Sequence, residues 1–213
     1  MNAQMLLQNC ILIGGMLAIW GGVHSLTASL SSKLLAQRWL GERTCDGWYR
    51  LLYNVFALVS FLPVLWGLTR LPDQTLYRLP GWAWWLCVPL QVVALLCAGL
   101  TLWRVDLWRF VGLRQWVRWL SGEPEPRTPA VFYVSGFYRW VRHPLYFFSL
   151  ILLWCTPLLS VNTLFFNLFC TLYFYVGSIF EERKLVQEFG QVYLDYQKQV
   201  PRLLPMPFGK RDG

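Results

Sequence analysis

"WAWWLCVPLQVVALLCAGLTLW", residues 82–103, carries no charged side chain. At about 1.5 Å per helical residue, about 20 apolar residues cross the hydrocarbon core of a bilayer. The stretch therefore reads as a membrane-spanning helix. The same signature recurs before it, at 6–26 (LLQNCILIGGMLAIWGGVHSL) and 51–68 (LLYNVFALVSFLPVLWGL), and after it, at 144–160 (PLYFFSLILLWCTPLLS) and 162–180 (NTLFFNLFCTLYFYVGSIF). The last two runs are shorter and share the tight connector Ser160–Asn162, which predicts a helical hairpin. A hairpin buried without spanning is the alternative. With 56% hydrophobic and only 14% charged residues in 213, the expected fold is an all-α polytopic membrane bundle of about five transmembrane helices.

The net charge of +8 would suit a nucleic-acid partner, but the basic residues flank apolar runs and no zinc-finger or RNA-binding signature accompanies them. The partner they predict is the lipid bilayer. Seventeen of the nineteen Lys and Arg residues fall in the segments after the first, third and fifth runs; only Arg70 and Arg78 fall elsewhere. The positive-inside rule then puts the N-terminus outside and the C-terminus in the cytoplasm, which in a bacterial chain means the inner or plasma membrane. The opening MNAQMLLQNC has no basic residue, so the first run reads as a retained span rather than a signal peptide.

Three parts are expected: a three-helix membrane part at 1–103, an interfacial or cytoplasmic connector at 104–143, and at 144–213 the hairpin with a C-terminal cytoplasmic segment. Residues 103–120, WRVDLWRFVGLRQWVRWL, taken as one helix, do not cluster their arginines on a single face, and predict interfacial anchoring by Trp and Arg. SGEPEPRTPA, 121–130, reads as a loop because three prolines block helix. In 181–200, Leu185, Phe189, Val192 and Tyr196 recur at helical spacing. The fifth helix is therefore expected to continue past the membrane, loosened at Gly190 and ended by Pro201 and Pro205. The six cysteines form no C-x-x-C pair and read as small packing residues, not a disulfide scaffold. Two histidines and no clustered cysteines give no metal-site signal.

Chemistry-bearing residues crowd one place. GFYRWVRHPLYF, 136–147, precedes the fourth run. Pro144 fits the first turn of a helix, which sets Arg142 and His143 at its entrance, where free N–H groups and the positive dipole end favour an anion. Tyr146 lies three residues on, near the same face. The hairpin returns Glu181 and Glu182, at the foot of the fifth run, toward that entrance. One pocket could thus receive a carboxylate and a positively charged group together. The residues alone do not select among zwitterionic ligands.

GFYRWVRHPLYF followed by EERKLVQEFGQVYLDYQKQVPRLLP resembles the isoprenylcysteine carboxyl methyltransferase-like family of integral membrane methyltransferases, over about residues 130–205. HSLTAS and YRLLYN in the N-terminal half look more like its NnrU, nurim and methanethiol S-methyltransferase branches. The resemblance implies a cytoplasmic C-terminal pocket for S-adenosylmethionine and a small thiol or lipophilic acceptor arriving from the membrane. It implies that Gly136, Tyr138, Arg142, His143, Pro144 and Tyr146 line the pocket, that Glu181 and Glu182 close it, and that Tyr193, Tyr196 and Arg202 shape its lid. Two departures stand out: Phe148 occupies a position that is often Gly in the family, and YVGSIF lacks the arginine that prenylcysteine enzymes carry before the acidic pair. The second points away from a prenylcysteine carboxylate substrate.

For catalysis, His143 is the candidate base for a thiol, with a purely cofactor-binding role as the alternative. Arg50 and Asn54, with Tyr53 on one face of the second run, are further catalytic candidates, against interhelical hydrogen bonding. His24 and Ser25 end the first run. Two other readings remain open: a non-catalytic NnrU- or nurim-like membrane protein, and a b-type haem held by His24 and His143.

Overall fold

The structure is a computed structural model that describes residues 3–124 and 132–205. The 121–130 loop lies partly outside these residues, as do the basic side chains Arg127, Lys210 and Arg211. Helices dominate: α1 (Ala3–Thr27), α2 (Leu30–Leu40), α3 (Glu42–Arg70), α4 (Trp84–Arg104), α5 (Leu107–Val111), α6 (Leu113–Leu120), α7 (Pro144–Trp154), α8 (Val161–Phe189) and α9 (Gln191–Gln199). Two short strands, β1 (Thr75–Arg78) and β2 (Leu158–Ser160), are the exceptions. Of the described helices, α1, α3, α4 and α8 contain stretches long and apolar enough to cross a membrane. Large apolar side chains such as Leu58 and Trp85 lie exposed on them, while Ala94, Ala98 and Thr101 are buried. That inverted pattern suits lipid, where tails are as apolar as leucine and helices associate through small residues. The protein is an all-α polytopic membrane protein.

The chain divides into two units. The first holds α1, α2, α3, α5, α6 and the opening turns of α8. Here Trp20 stacks on His24 and packs on Phe61, Tyr53 OH hydrogen-bonds the His24 ring at 2.8 Å, and Tyr49 OH donates to Thr27 O at 2.6 Å. Ser29 caps α2 through the Ser32 N–H. The helix pair α3–α6 closes against Gly47, where a Cβ would lie 2.5 Å from the Trp119 Cβ. Gly112, at φ +99°, breaks the 103–120 segment in two, and a Cβ there would meet the Leu51 backbone nitrogen at 2.5 Å. This break changes the earlier picture of that segment. Once α6 starts afresh after Gly112, Arg114, Gln115 and Arg118 share one face of it and Leu113, Trp116, Val117 and Leu120 the other.

The second unit holds α4, α7, β2, most of α8, and α9. Here the expected hairpin is corrected. The helix of the fourth run stops at Trp154, not at Ser160, because Pro157 removes an N–H donor and biases Thr156 away from helical angles. With 11 residues, α7 extends about 16 Å, about half a hydrocarbon core. It packs antiparallel to α4: Gln91 Nε2 donates to Leu152 O at 3.0 Å, and Phe148 sits among Ala94 and Ala98. Beyond α7 the chain continues non-helically, with Tyr77 OH donating to Thr156 O at 3.1 Å and Leu79 N–H to Pro157 O at 2.9 Å. The carbonyls at the end of α7 are met by side-chain amides, Gln91 on Leu152 and Asn167 on Leu153 at 2.8 Å. Irregular backbone at membrane depth is tolerated only when it is satisfied by protein in this way.

The continuation of the last run is borne out. Helix α8 runs unbroken for 29 residues to Phe189, about 44 Å. Gly190, at φ +58°, turns the chain into α9, which ends before Pro201.

Candidate functional site

The site lies within the second unit. Ser135 leads into a 3-10 turn, Gly136–Arg139, that begins with Gly136 at φ +55°. His143, at φ −121° and ψ 70°, is non-helical ahead of Pro144, which is the first residue of α7. At this mouth the N–H groups of Arg142 and His143 themselves are engaged. Arg142 N–H donates to Pro201 O at 2.8 Å and His143 N–H to Arg202 O at 3.1 Å. The C-terminal segment is thus bonded to the backbone at the helix entrance.

Anions do gather there, and they are the protein's own. Glu182, 2% exposed, projects from α8 into a ring of donors. Its Oε1 accepts from Arg142 Nε at 2.8 Å, His143 Nε2 at 3.1 Å and Arg202 Nε at 3.3 Å. Its Oε2 accepts from Arg142 Nη2 at 3.2 Å, Gln197 Nε2 at 2.8 Å and Arg202 Nη2 at 3.0 Å. Arg142 Nη1 donates to the Gln197 and Val200 carbonyls at 2.7 and 2.8 Å. A carboxylate has about four lone-pair sites, so Glu182 is saturated and has no capacity left for a ligand, while Arg142 has four of its five N–H donors engaged.

Glu181, beside it on α8, differs. Its side chain is half exposed. It accepts from Tyr146 OH at 2.5 Å and lies 3.2 Å from His143 Nδ1. The two ring nitrogens of His143 therefore face two different carboxylates. Neutral imidazole has one N–H, so this arrangement favours the doubly protonated ring. Burial works against that charge, but the hydrogen bonds to Glu181 and Glu182 prevail and hold the His143 pKa above its usual value. A ring with both nitrogens donating has no lone pair for a thiol proton, and none for iron.

Aromatic rings continue the site. His143 stacks on Tyr146 (centroids 5.4 Å) and Tyr146 on Phe174 (5.0 Å), each pair within 7° of parallel. Arg202 lies 5.6 Å above the Tyr175 ring, and its side chain is 30% exposed. Tyr193 and Tyr196 pack with Phe132 and Phe189. Tyr196 OH donates to Tyr138 O at 2.6 Å, tying α9 to the 3-10 turn. Burial pushes the Tyr193 hydroxyl up to about 12 and Tyr196 higher than its ordinary value as well, so both remain neutral.

Arg142, His143, Tyr146, Glu181, Glu182 and Arg202 thus meet in one network, with Pro144 buried at its base and Gly136, Tyr138, Tyr193 and Tyr196 bracing it. Arg50 and Asn54 belong to the first unit. Arg50 Nε donates to Phe110 O at 2.9 Å, and Asn54 Nδ2 to Phe110 O and Val111 O at 3.1 and 2.9 Å. Sequence reasoning missed Gln197, Phe174 and Tyr175. The spacing of 174, 178, 181 and 182 along α8 was the signal for Phe174. No comparable signal marked Gln197. A cleft of about 540 Å³ opens in the first unit, among Glu42, Arg43, Gln115, Arg118, Trp119 and Glu123. It contains none of the expected site residues.

Comparison with known proteins completes the description. A methanethiol S-methyltransferase 2 of Bradyrhizobium diazoefficiens is 30% identical over 194 residues, covering 89% of this chain and 72% of the relative. A methanethiol S-methyltransferase of Mycobacterium tuberculosis is 28% identical over 193 residues, 87% of this chain and 75% of the relative. One from Pseudomonas deceptionensis is 46% identical over 79 residues, 37% of this chain and 28% of the relative. No solved structure matches. The family model described as NnrU protein matches residues 11–197, and the chain, an integral membrane protein with an Arg–His–Glu network at the mouth of α7, belongs to the NnrU family.

Proposed function

We propose that the protein is an S-adenosylmethionine-dependent methyltransferase acting on a small thiol of the methanethiol class. The observation that carries the reading is the network joining Arg142–His143 to Glu181–Glu182, in a chain whose relatives are named methanethiol S-methyltransferases. The residues present fit the cofactor in a particular way. Glu182 and Arg142 are consumed by each other, so they act as a frame. Glu181, half exposed, is the group suited to an ammonium. Arg202 is partly exposed, and its Nη1 makes no hydrogen bond among the described residues, which suits a carboxylate. The Tyr146–Phe174 stack suits a sulfonium or an adenine ring.

When bound, the cofactor supplies an electrophilic methyl group whose leaving group is a neutral thioether. The protein's task is then alignment and exclusion of water rather than acid catalysis. His143 holds its proton between two carboxylates and positions Glu181; it is not the base. Arg50 and Asn54 have their donors on the α5 carbonyls, which supports a role in holding α5 rather than in chemistry. The basic distribution supports an N-terminus outside and a cytoplasmic C-terminus. The antiparallel run of α7 and its non-helical extension beside α4 supports a fifth crossing, as that orientation requires.

Isothermal titration of the detergent-solubilised protein with S-adenosylhomocysteine, and headspace detection of dimethyl sulfide from methanethiol, test the proposal. Saturable binding weakened by Glu181→Gln is expected. A folded protein that binds no cofactor analogue overturns it. Binding without transfer to any thiol, phenol or carboxylate moves the assignment to a non-catalytic member of the family.

A further inference from the structure

The cleft of about 540 Å³ in the first unit lies between the start of α3 and the end of α6. Its volume is that of a small-ligand site, about 300–1,000 Å³. Two close approaches fix its depth. Gly47 of α3 lies against Trp119, and Gly112, which caps the start of α6, lies against Leu51. Both fall at or ahead of the first residue of the apolar run 51–68, so the cleft sits where hydrocarbon gives way to headgroups. Trp48 packs edge-on against Trp116 and Trp119 there, at centroid distances of 5.8 and 5.5 Å, and clustered tryptophan suits that depth. Val117 and Leu120, on the apolar face of α6, are exposed. A ligand at this place meets charge on one side and apolar surface on the other.

Some of the charges nearby are already taken. Asp46 pairs with Lys33 at 2.9 Å, and Arg114, on the polar face of α6, pairs with Asp106. The side chains of Arg43, Arg118 and Glu123 line the cleft and form no ion pair or hydrogen bond among the described residues. Arg43 reaches from α3 toward the end of α6, its Nη2 lying 3.7 Å from where a Cβ of Gly122 would stand. Gln115 also lines the cleft and is 9% exposed. Its Nε2 donates to Arg109 O at 3.0 Å, but its Oε1 is buried and accepts no hydrogen bond among the described residues. A buried acceptor without a donor is costly and marks a place for one. Two guanidiniums without counter-ions call for an anion; a free carboxylate beside an orphaned amide oxygen calls for a cation bearing N–H groups. We propose that the cleft binds the head of a zwitterionic phospholipid with a primary ammonium. Its phosphodiester lies between Arg43 and Arg118, its ammonium faces Glu123 and Gln115 Oε1, and its acyl chains run along Val117 and Leu120. A glycerol head satisfies the guanidiniums but brings no positive charge to Glu123. A trimethylated head brings the charge but no N–H to Gln115. Nothing in this binding depends on methyl transfer.

The test titrates the full chain, purified in maltoside and stripped of lipid, with phosphatidylethanolamine, phosphatidylcholine and phosphatidylglycerol. Native mass spectrometry reads occupancy and the unfolding midpoint reads stabilisation. One phosphatidylethanolamine per chain is expected, raising the midpoint saturably and held about tenfold or more tighter than either other lipid. Glycerophosphoethanolamine, which has the head but no acyl chains, should bind about tenfold or more weaker than the lipid. Arg43→Gln combined with Arg118→Gln should weaken phosphatidylethanolamine by about tenfold or more. Glu123→Gln should narrow its preference over phosphatidylcholine. The lipid-free midpoints of these variants should match the native one, because the three side chains are unpaired. No bound lipid, equal binding of the three lipids, tighter binding of phosphatidylcholine or phosphatidylglycerol, a soluble head that binds as well as the lipid, or native affinity in the double variant overturns the site. The lipid panel needs only the native chain, so a poorly folded variant does not shelter the proposal.

Discussion

Glu182→Gln removes one charge from the centre of the network while keeping the shape of the side chain. In the native protein this carboxylate accepts six hydrogen bonds, from Arg142, His143, Arg202 and Gln197. Its side chain is 3% exposed and that of Arg142 9%. The amide leaves Arg142 buried without a counter-ion and turns an NH2 toward other donors. Breaking one side of a buried ion pair costs about 3–5 kcal/mol. At about 2–4 °C per kcal/mol for a chain of this size, the unfolding midpoint falls by roughly 6–20 °C. Thermal unfolding in detergent, followed by intrinsic tryptophan fluorescence, measures it, with Glu188→Gln as the exposed-acid control on the same helix. Arg142→Gln combined with Glu182→Gln removes both members of the most buried pair, so the double variant should lose less than the sum of the two single changes, although Arg202 and His143 still lose their shared carboxylate. A Glu182→Gln midpoint within error of Glu188→Gln would refute the reasoning, because the carboxylate would not then be the pin that holds the C-terminal segment to α7.

Other expectations follow from single residues. The His143 pKa is raised in the folded state, so its stabilising contribution is complete below the unfolded value of about 6.5 and is lost as pH rises through the folded value. The unfolding midpoint should decline over that rise, and His143→Asn should flatten the decline. Gly112→Ala puts a Cβ against the Leu51 backbone at an unfavourable φ and should destabilise by about 1–3 kcal/mol or more, read as lost yield of folded protein and a lower midpoint. Gln91→Leu deprives the Leu152 carbonyl of its donor and should cost about 1–3 kcal/mol, seen in the same melt and in faster amide exchange at the end of α7. Reporter fusions at the C-terminus should be active only as cytoplasmic reporters; a periplasmic signal would reverse the proposed orientation.

The long helices were legible because an apolar run of sufficient length has only one stable form in lipid: a helix whose backbone bonds are internal. The helix entrance at Pro144 and the extension of α8 past the membrane were legible for local reasons, a proline that starts a helix and a hydrophobic spacing that carries past Glu182. The early end of α7 was less so. Pro157 signals it, yet what makes the break tolerable is the pair of amides from Gln91 and Asn167, which come from two other helices. The amphipathic face of α6 was hidden because Gly112 resets the helical phase, and that glycine is required by a backbone contact with Leu51.

At the site, the sequence by itself determined which residue types stand at the mouth of α7 and the foot of α8, because proline geometry, apolar length and charge placement act locally along the chain. Only the tertiary structure decided how their bonding capacity is divided. Adjacent glutamates look equivalent in a string. Folded, Glu182 points into two guanidiniums, an imidazole and an amide gathered from the mouth of α7, from α9 and from the C-terminal segment, and is saturated, while Glu181, one residue earlier on the helix, turns partly to solvent. A helix rotates successive side chains by about 100°, so which neighbour is buried depends on what packs against that face, and distant segments of the chain decide that.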